Sequence, residues 1–111
     1  MREILFRGKS VNDDRWVFGD LSNYGDCKTI TTVKDFTIID SCEVIPETVG
    51  QYTGLTDKNG RRIFENGYMI IDDKTYKVIF DAAEYILTNI FNCDIITLKN
   101  NSIKGVFVDE I

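Results

Sequence analysis

The side chains able to do chemistry in this 111-residue chain are carboxylates, one small group of cations and three thiols, and they come without a single histidine. Without imidazole there is no Ser-His-Asp triad, no Cys-His pair and no His-ligated zinc. The side chain that ordinarily titrates near neutrality is missing as well. Cys27, Cys42 and Cys93 are far apart and odd in number, so neither a disulfide framework nor a paired-cysteine zinc site can be read from them. Free thiols in a reducing compartment are expected, and no nucleophile, since nothing activates them. Glu43, Glu47, Asp57, Glu65, Asp72 and Asp73 offer the oxygen ligands that Mg²⁺ takes, as a phosphoesterase would need. No spacing forces several of them into one cavity, and acidic residues are ordinary in turns. Lys58, Arg61 and Arg62 form the one dense basic cluster, and with Tyr52 or Tyr68 as stacking platforms they could grip nucleic acid. Against that stands a net charge of −5, from 13 basic and 18 acidic residues, whose field opposes a polyanion.

The elements that must position these residues are mostly strands. Period-two patterning and turn residues dominate, in a length that fits one domain with its own core. Glu3 to Arg7 and Arg15 to Leu21 read as a hairpin turned by Asn12-Asp13-Asp14, with Trp16 and Phe18 alternating with Val17 and Trp16 as core or hairpin anchor. Ile30 to Val33 and Phe36 to Ile39 read as a second hairpin connected by Lys34-Asp35. Pro46, the only proline, should end the strand before it and start a turn through Glu47-Thr48. This seam divides an N-terminal β section, 1–46, from a C-terminal part, 47–111, of one domain. Short strands follow at Val49 to Thr53, Arg61 to Phe64, Tyr68 to Ile71, Tyr76 to Phe80 and Ile103 to Val108. Asn59-Gly60, Asn66-Gly67, Asp72-Asp73 and Asn100-Asn101 separate them, a rhythm that suits a small barrel. Residues 82–91 fit a helix through Ala83, Ile86, Leu87 and Ile90, and equally a strand through Tyr85, Leu87 and their β-branched neighbours. A strand is preferred, because Tyr76 to Phe80 needs a partner. No apolar run approaches a membrane span, and Met1 to Gly8 lacks the features of a secretory signal, so a cytoplasmic location is expected.

The run Val49-Gly50-Gln51-Tyr52-Thr53-Gly54-Leu55, continued by Asp57-Lys58-Asn59-Gly60 and Ile63-Phe64-Glu65, resembles the signature of the YopX-like family of bacteriophage and prophage proteins. Arg2-Glu3-Ile4, Phe6-Arg7-Gly8-Lys9 and Trp16-Val17-Phe18-Gly19 are similar to that family's opening hairpin. The resemblance implies a small, mainly β, phage-encoded cytoplasmic protein whose C-terminal part is similar to a small barrel of the Src-homology-3 type, and it implies no established activity. Members commonly continue the signature with Glu-Gly-Asp, where this chain has Glu65-Asn66-Gly67. The acid is gone while the turn chemistry stays.

The expected fold is therefore mainly β, an N-terminal hairpin section leading into a small barrel, with room for one short helix. Gln51, Tyr52, Asp57, Lys58, Arg61 and Glu65 are the candidate binding residues, on loops and edges of a rigid scaffold. Competing with that, Gly50, Gly54, Asn59 and Gly60 meet backbone demands and Tyr52 and Phe64 fill the core. The favoured role is a non-enzymatic interaction or assembly module, self-associating or bound to a phage or host protein, with no cofactor and no metal. Nucleic-acid binding is the alternative, and a Mg²⁺-dependent enzyme ranks below both.

Overall fold

The computed structural model describes residues 4–110, so Arg2 and Glu3 of the expected opening strand lie outside the described residues. The chain is mainly β and divides into two compact units, one ending at Gln51 and the next starting at Tyr52, past the Pro46 seam.

The first unit is an antiparallel meander of β1 (Phe6–Lys9), β2 (Trp16–Tyr24), β3 (Cys27–Lys34) and β4 (Thr37–Val44), whose long β3 and β4 carry the Thr-Ile-Thr-Thr-Val and Thr-Ile-Ile runs that suit a pleated ladder. β1 also pairs with the start of β5 (Gly50–Thr56), Phe6 opposite Gln51 and Arg7 opposite Gly50. The far end of β4 returns to the end of β1. Ser10 bridges Val44, the Ile45 amide donates to the Lys9 carbonyl at 2.8 Å, and the Val11 amide donates to the Glu43 carbonyl at 3.1 Å. Val17, Ile30 and Val44 are the buried centre of this curled sheet, with Phe6, Leu21, Cys42 and Val49 packed against them. Pro46 stops β4 and begins a 3-10 turn, Pro46–Thr48, as its locked φ requires. The Thr48 hydroxyl accepts the Lys9 amide at 2.8 Å.

Trp16 and Phe18 alternate with Val17 as expected, and it is Val17 that is buried. Of the two roles expected for Trp16 the structure gives the hairpin one: it is half-buried in the β1–β2 pair opposite Lys9, with the Arg7 guanidinium stacked 4.0 Å over its ring. One expectation for this unit is corrected. The β3–β4 connection is Asp35-Phe36, closed by the pair Lys34 and Thr37, and not Lys34-Asp35. Both turn residues have positive φ, 53° and 63°, the geometry that matches strand twist in a two-residue hairpin.

The second unit holds the remainder of β5 paired with β6 (Arg62–Phe64), and a five-stranded antiparallel sheet in the order β10-β9-β8-β7-β11. Its strands are β7 (Tyr68–Ile71), β8 (Lys74–Asp81), β9 (Glu84–Asn89), β10 (Ile95–Thr97) and β11 (Val106–Val108). Asp72-Asp73 is a two-residue turn as expected. Residues 82–91 open with a second such turn, Ala82-Ala83 at φ 50° and 64°, and continue into strand β9, which pairs with β8. Ile63, Phe64, Met69, Val78, Leu87, Leu98 and Phe107 are buried.

Three local readings change here. Asn59-Gly60 sits in the loop between β5 and β6, whose last pair, Thr56 opposite Arg62, leaves Asp57 to Arg61 between them instead of a two-residue turn. Asn66-Gly67 makes no hairpin: β6 and β7 are not neighbours, and the turn closes locally through the Gly67 amide and the Phe64 carbonyl at 3.2 Å. Asn66 takes φ 70° there, a conformation Asn tolerates better than most residues. Asn100-Asn101 belongs to a short helix, α1 (Leu98–Asn101), followed by a 3-10 turn, Ser102–Lys104. The strand expected from Ile103 therefore begins only at Val106. Leu98, wholly buried, anchors this helix, and the Asn101 amide side chain donates back to the Thr97 carbonyl at 2.6 Å.

Candidate functional site

The signature loop is built around one carboxylate. Asp57 is 3% exposed, and its Oδ1 accepts the amides of Asn59 and Arg61, each at 2.9 Å. Its Oδ2 accepts the Phe107 amide of β11 at 2.8 Å. Burial alone would raise its pKa, but the three backbone donors and the Arg61 charge outweigh it and hold the carboxyl below its ordinary value. Arg61 completes the arrangement from the same loop. One guanidinium nitrogen donates to the Phe107 carbonyl at 2.9 Å, and another meets the Asp109 carboxylate at 2.8 Å. Both main-chain groups of Phe107 are thus held by side chains of the loop, and the Lys58 amide adds a bond to the Gly105 carbonyl at 3.1 Å. Asp57 and Arg61 stand where a neighbouring strand would stand, on the outer edge of β11.

The other candidate residues are dispersed. Tyr52 is buried, packed at a tilt 5.6 Å from Phe64, with the Arg62 guanidinium 5.5 Å over its ring. Gln51 is half-buried in β5 opposite Phe6, and Glu65 is half-buried in the turn after β6. Only Asp57, Lys58 and Arg61 share a loop. Lys58 and Arg62 are exposed and Tyr68 is half-buried. Among the described residues no three of His, Cys, Asp and Glu come together as metal ligands. No helix among them is long and apolar enough to cross a membrane. All three cysteines are free thiols, Cys27 and Cys93 exposed and Cys42 half-buried. Burial and the Asp40 carboxylate 3.3 Å away push the Cys42 thiol up against the opposing pull of Arg15, so it is a weaker nucleophile than an ordinary cysteine.

A surface that reading by residue type does not single out lies at the tip of β3–β4. The ladder between β2 and β3 ends at Asp20 opposite Thr31, whereas β3 and β4 continue to Lys34 opposite Thr37. Beyond Thr31 the hairpin is a two-stranded arm. At the end of that ladder the backbones lie close: a Cβ on Gly19 would be 2.1 Å from the Thr31 carbonyl oxygen, and the Thr32 hydroxyl donates to the Phe18 carbonyl at 2.6 Å. A register shift between Thr32 and Val33 leaves Ile39 without a cross-strand partner, bending the arm as bulges do. The arm carries Val33, Phe36, Ile38 and Ile39, which are 48%, 105%, 66% and 59% exposed.

Phe36 is the unusual member. Asn, Asp or Gly suits a positive-φ turn position, and a bulky aromatic there costs on the order of 1 kcal/mol. The turn does not need this residue, and the core does not bury it. Residue type alone does not locate it, because Ile38-Ile39 beside Val33 has the composition of an ordinary buried strand pair.

A protein-family model described as YopX protein matches residues 5–108, nearly the whole chain. No curated protein is significantly similar to it.

Proposed function

The chain belongs to the YopX protein family, and on that premise we propose that it is a phage- or prophage-encoded interaction module, without catalytic activity, that meets a protein partner through the β3–β4 arm. The observation carrying this reading is Phe36, an aromatic side chain wholly in solvent at a backbone position that disfavours it. Residues held in sparsely populated backbone regions concentrate where a protein contacts something. Beside it, Val33 and Ile38 face each other across the arm, and Ile39 is exposed as well. Proteins that stay monomeric in water rarely crowd large apolar side chains on one short exposed arm, and an isolated two-stranded hairpin is marginal by itself. The signature residues have a scaffold part in this reading: Asp57 and Arg61 already engage Phe107 and Asp109.

A photoreactive phenylalanine analogue in place of Phe36 should yield discrete cross-linked protein products when cells producing the chain are irradiated. The same analogue at Ile103, 72% exposed but outside the arm, should not. No products from position 36, or the same products from both positions, would overturn the reading.

A further inference from the structure

We infer that the occupant of the arm is a second copy of the same chain, packed tip against tip about a two-fold axis. This rests on the reading of the arm as the contact surface and names its partner. Between Thr32 and Ile39 the only charged residues are Lys34 and Asp35, adjacent, exposed and of opposite sign. The tip is electrically neutral in a chain with 18 acidic and 13 basic residues, whose surface elsewhere repels a second copy. In a two-fold contact each patch meets itself, so Lys34 of one copy can face Asp35 of the other twice over, around the shared apolar centre of Phe36, Val33 and Ile38. A tip with two like charges could not do this. Side chains make the contact, because the irregularity at Ile39 interrupts the regular edge that main-chain pairing between two β4 strands would need. Asp40, the next acid along β4, is paired with Arg15 at 3.2 Å and stays out of the repulsion.

Sedimentation of the full chain should give twice 12.7 kDa at micromolar concentration. Ile38→Asp should weaken the dimer by more than about tenfold, because it places a charge at the centre of a desolvated contact. Its far-UV spectrum and melting temperature at low concentration should match those of the parent, which separates lost association from lost folding. Lys34→Asp and Asp35→Lys should each weaken self-association, and equimolar mixing of the two variants should restore a dimer containing one of each. A monomer at every concentration overturns the inference, and so does a dimer that survives Ile38→Asp. Failure of the mixed pair overturns the two-fold charge arrangement. A chain that is monomeric alone but cross-links from position 36 to a protein of different mass would refute self-association and leave the arm as the contact surface, whereas no cross-link would refute both.

Discussion

Two sheet margins in this chain are treated in opposite ways. β11, at the edge of the five-stranded sheet, is only three residues long, yet both main-chain groups of Phe107 are engaged from outside, the amide by Asp57 and the carbonyl by Arg61. Together the carboxylate and guanidinium imitate the acceptor and donor of a neighbouring peptide. The β3–β4 arm is the reverse: it runs past its last supporting strand and sets four apolar side chains in water. Exposed edges invite pairing with other chains, and proteins normally blunt them. In the proposed reading the covered margin serves stability and the uncovered arm, with an aromatic at its tip, serves contact.

The largest effect that could break this division is at the covered margin. Asp57→Ala would leave the buried amide of Phe107 and the partly buried amides of Asn59 and Arg61 without their acceptor, and stability should fall by about 3 kcal/mol, since bonds to a charged group contribute about 1.5–3 kcal/mol each before water rescues any of them. Urea unfolding measures it, and a loss near zero would mean that the carboxylate does not hold β11. The same group sets an acid limit. Because its folded pKa lies below that of the unfolded chain, near the ordinary value of about 3.9, its stabilisation is complete at neutral pH. It is lost as pH falls from the ordinary value through the lower folded one. The variant should therefore show a smaller loss of stability than the parent on acidification through that window.

Most strands were legible because β-branched and aromatic runs bounded by turn residues have few other uses, and Pro46 acts through its own ring. The arm was not, for a physical reason: Ile38-Ile39 next to Val33 reads like any buried pair, and burial depends on whether a third strand lies alongside. Here no third strand does, because β2 pairs with β3 only as far as Asp20 and from Gly19 back follows β1. Turns made by Asp35-Phe36 and Ala82-Ala83 escape residue preferences because the strand ladders on either side impose their positive φ. Asp57 stood in the sequence as a turn acid two residues before Asn59, and its local amide bond follows from that. Its partner Phe107 lies 50 residues on, a distance no local rule spans. The helix at Leu98–Asn101 was hidden by two asparagines that suit a turn equally well.

Two smaller tests sharpen how β11 is held. A Cβ on Gly105 would lie 2.5 Å from the Ile70 carbonyl oxygen, a backbone atom that cannot give way cheaply, so Gly105→Ala should cost about 2 kcal/mol. Arg61→Ala should cost less, about 1 kcal/mol, because its side chain is 48% exposed and water can take over from the guanidinium at the Phe107 carbonyl. If Arg61→Ala proved as damaging as Asp57→Ala, the cation and not the buried acid would be the main closure of that edge. All three stability losses should leave the dissociation constant of arm contact unchanged when measured on folded protein.

The smallest expected change has the opposite sign and bears most directly on the comparison. Phe36→Gly replaces a bulky residue at φ 63° with one that adopts that conformation without steric penalty, and it makes the turn Asp-Gly, a favoured two-residue hairpin sequence. The relieved strain exceeds the added freedom of glycine in the unfolded chain, so stability should rise by about 0.5 kcal/mol. Thermal melts at concentrations where the parent is monomeric read this directly. Association through the arm should fall in the same variant. A residue whose removal stabilises the fold and weakens contact is there for the contact. A variant that lost stability would instead show that Phe36 packs within its own chain, and the contrast between the covered edge and the uncovered arm would fail at its tip.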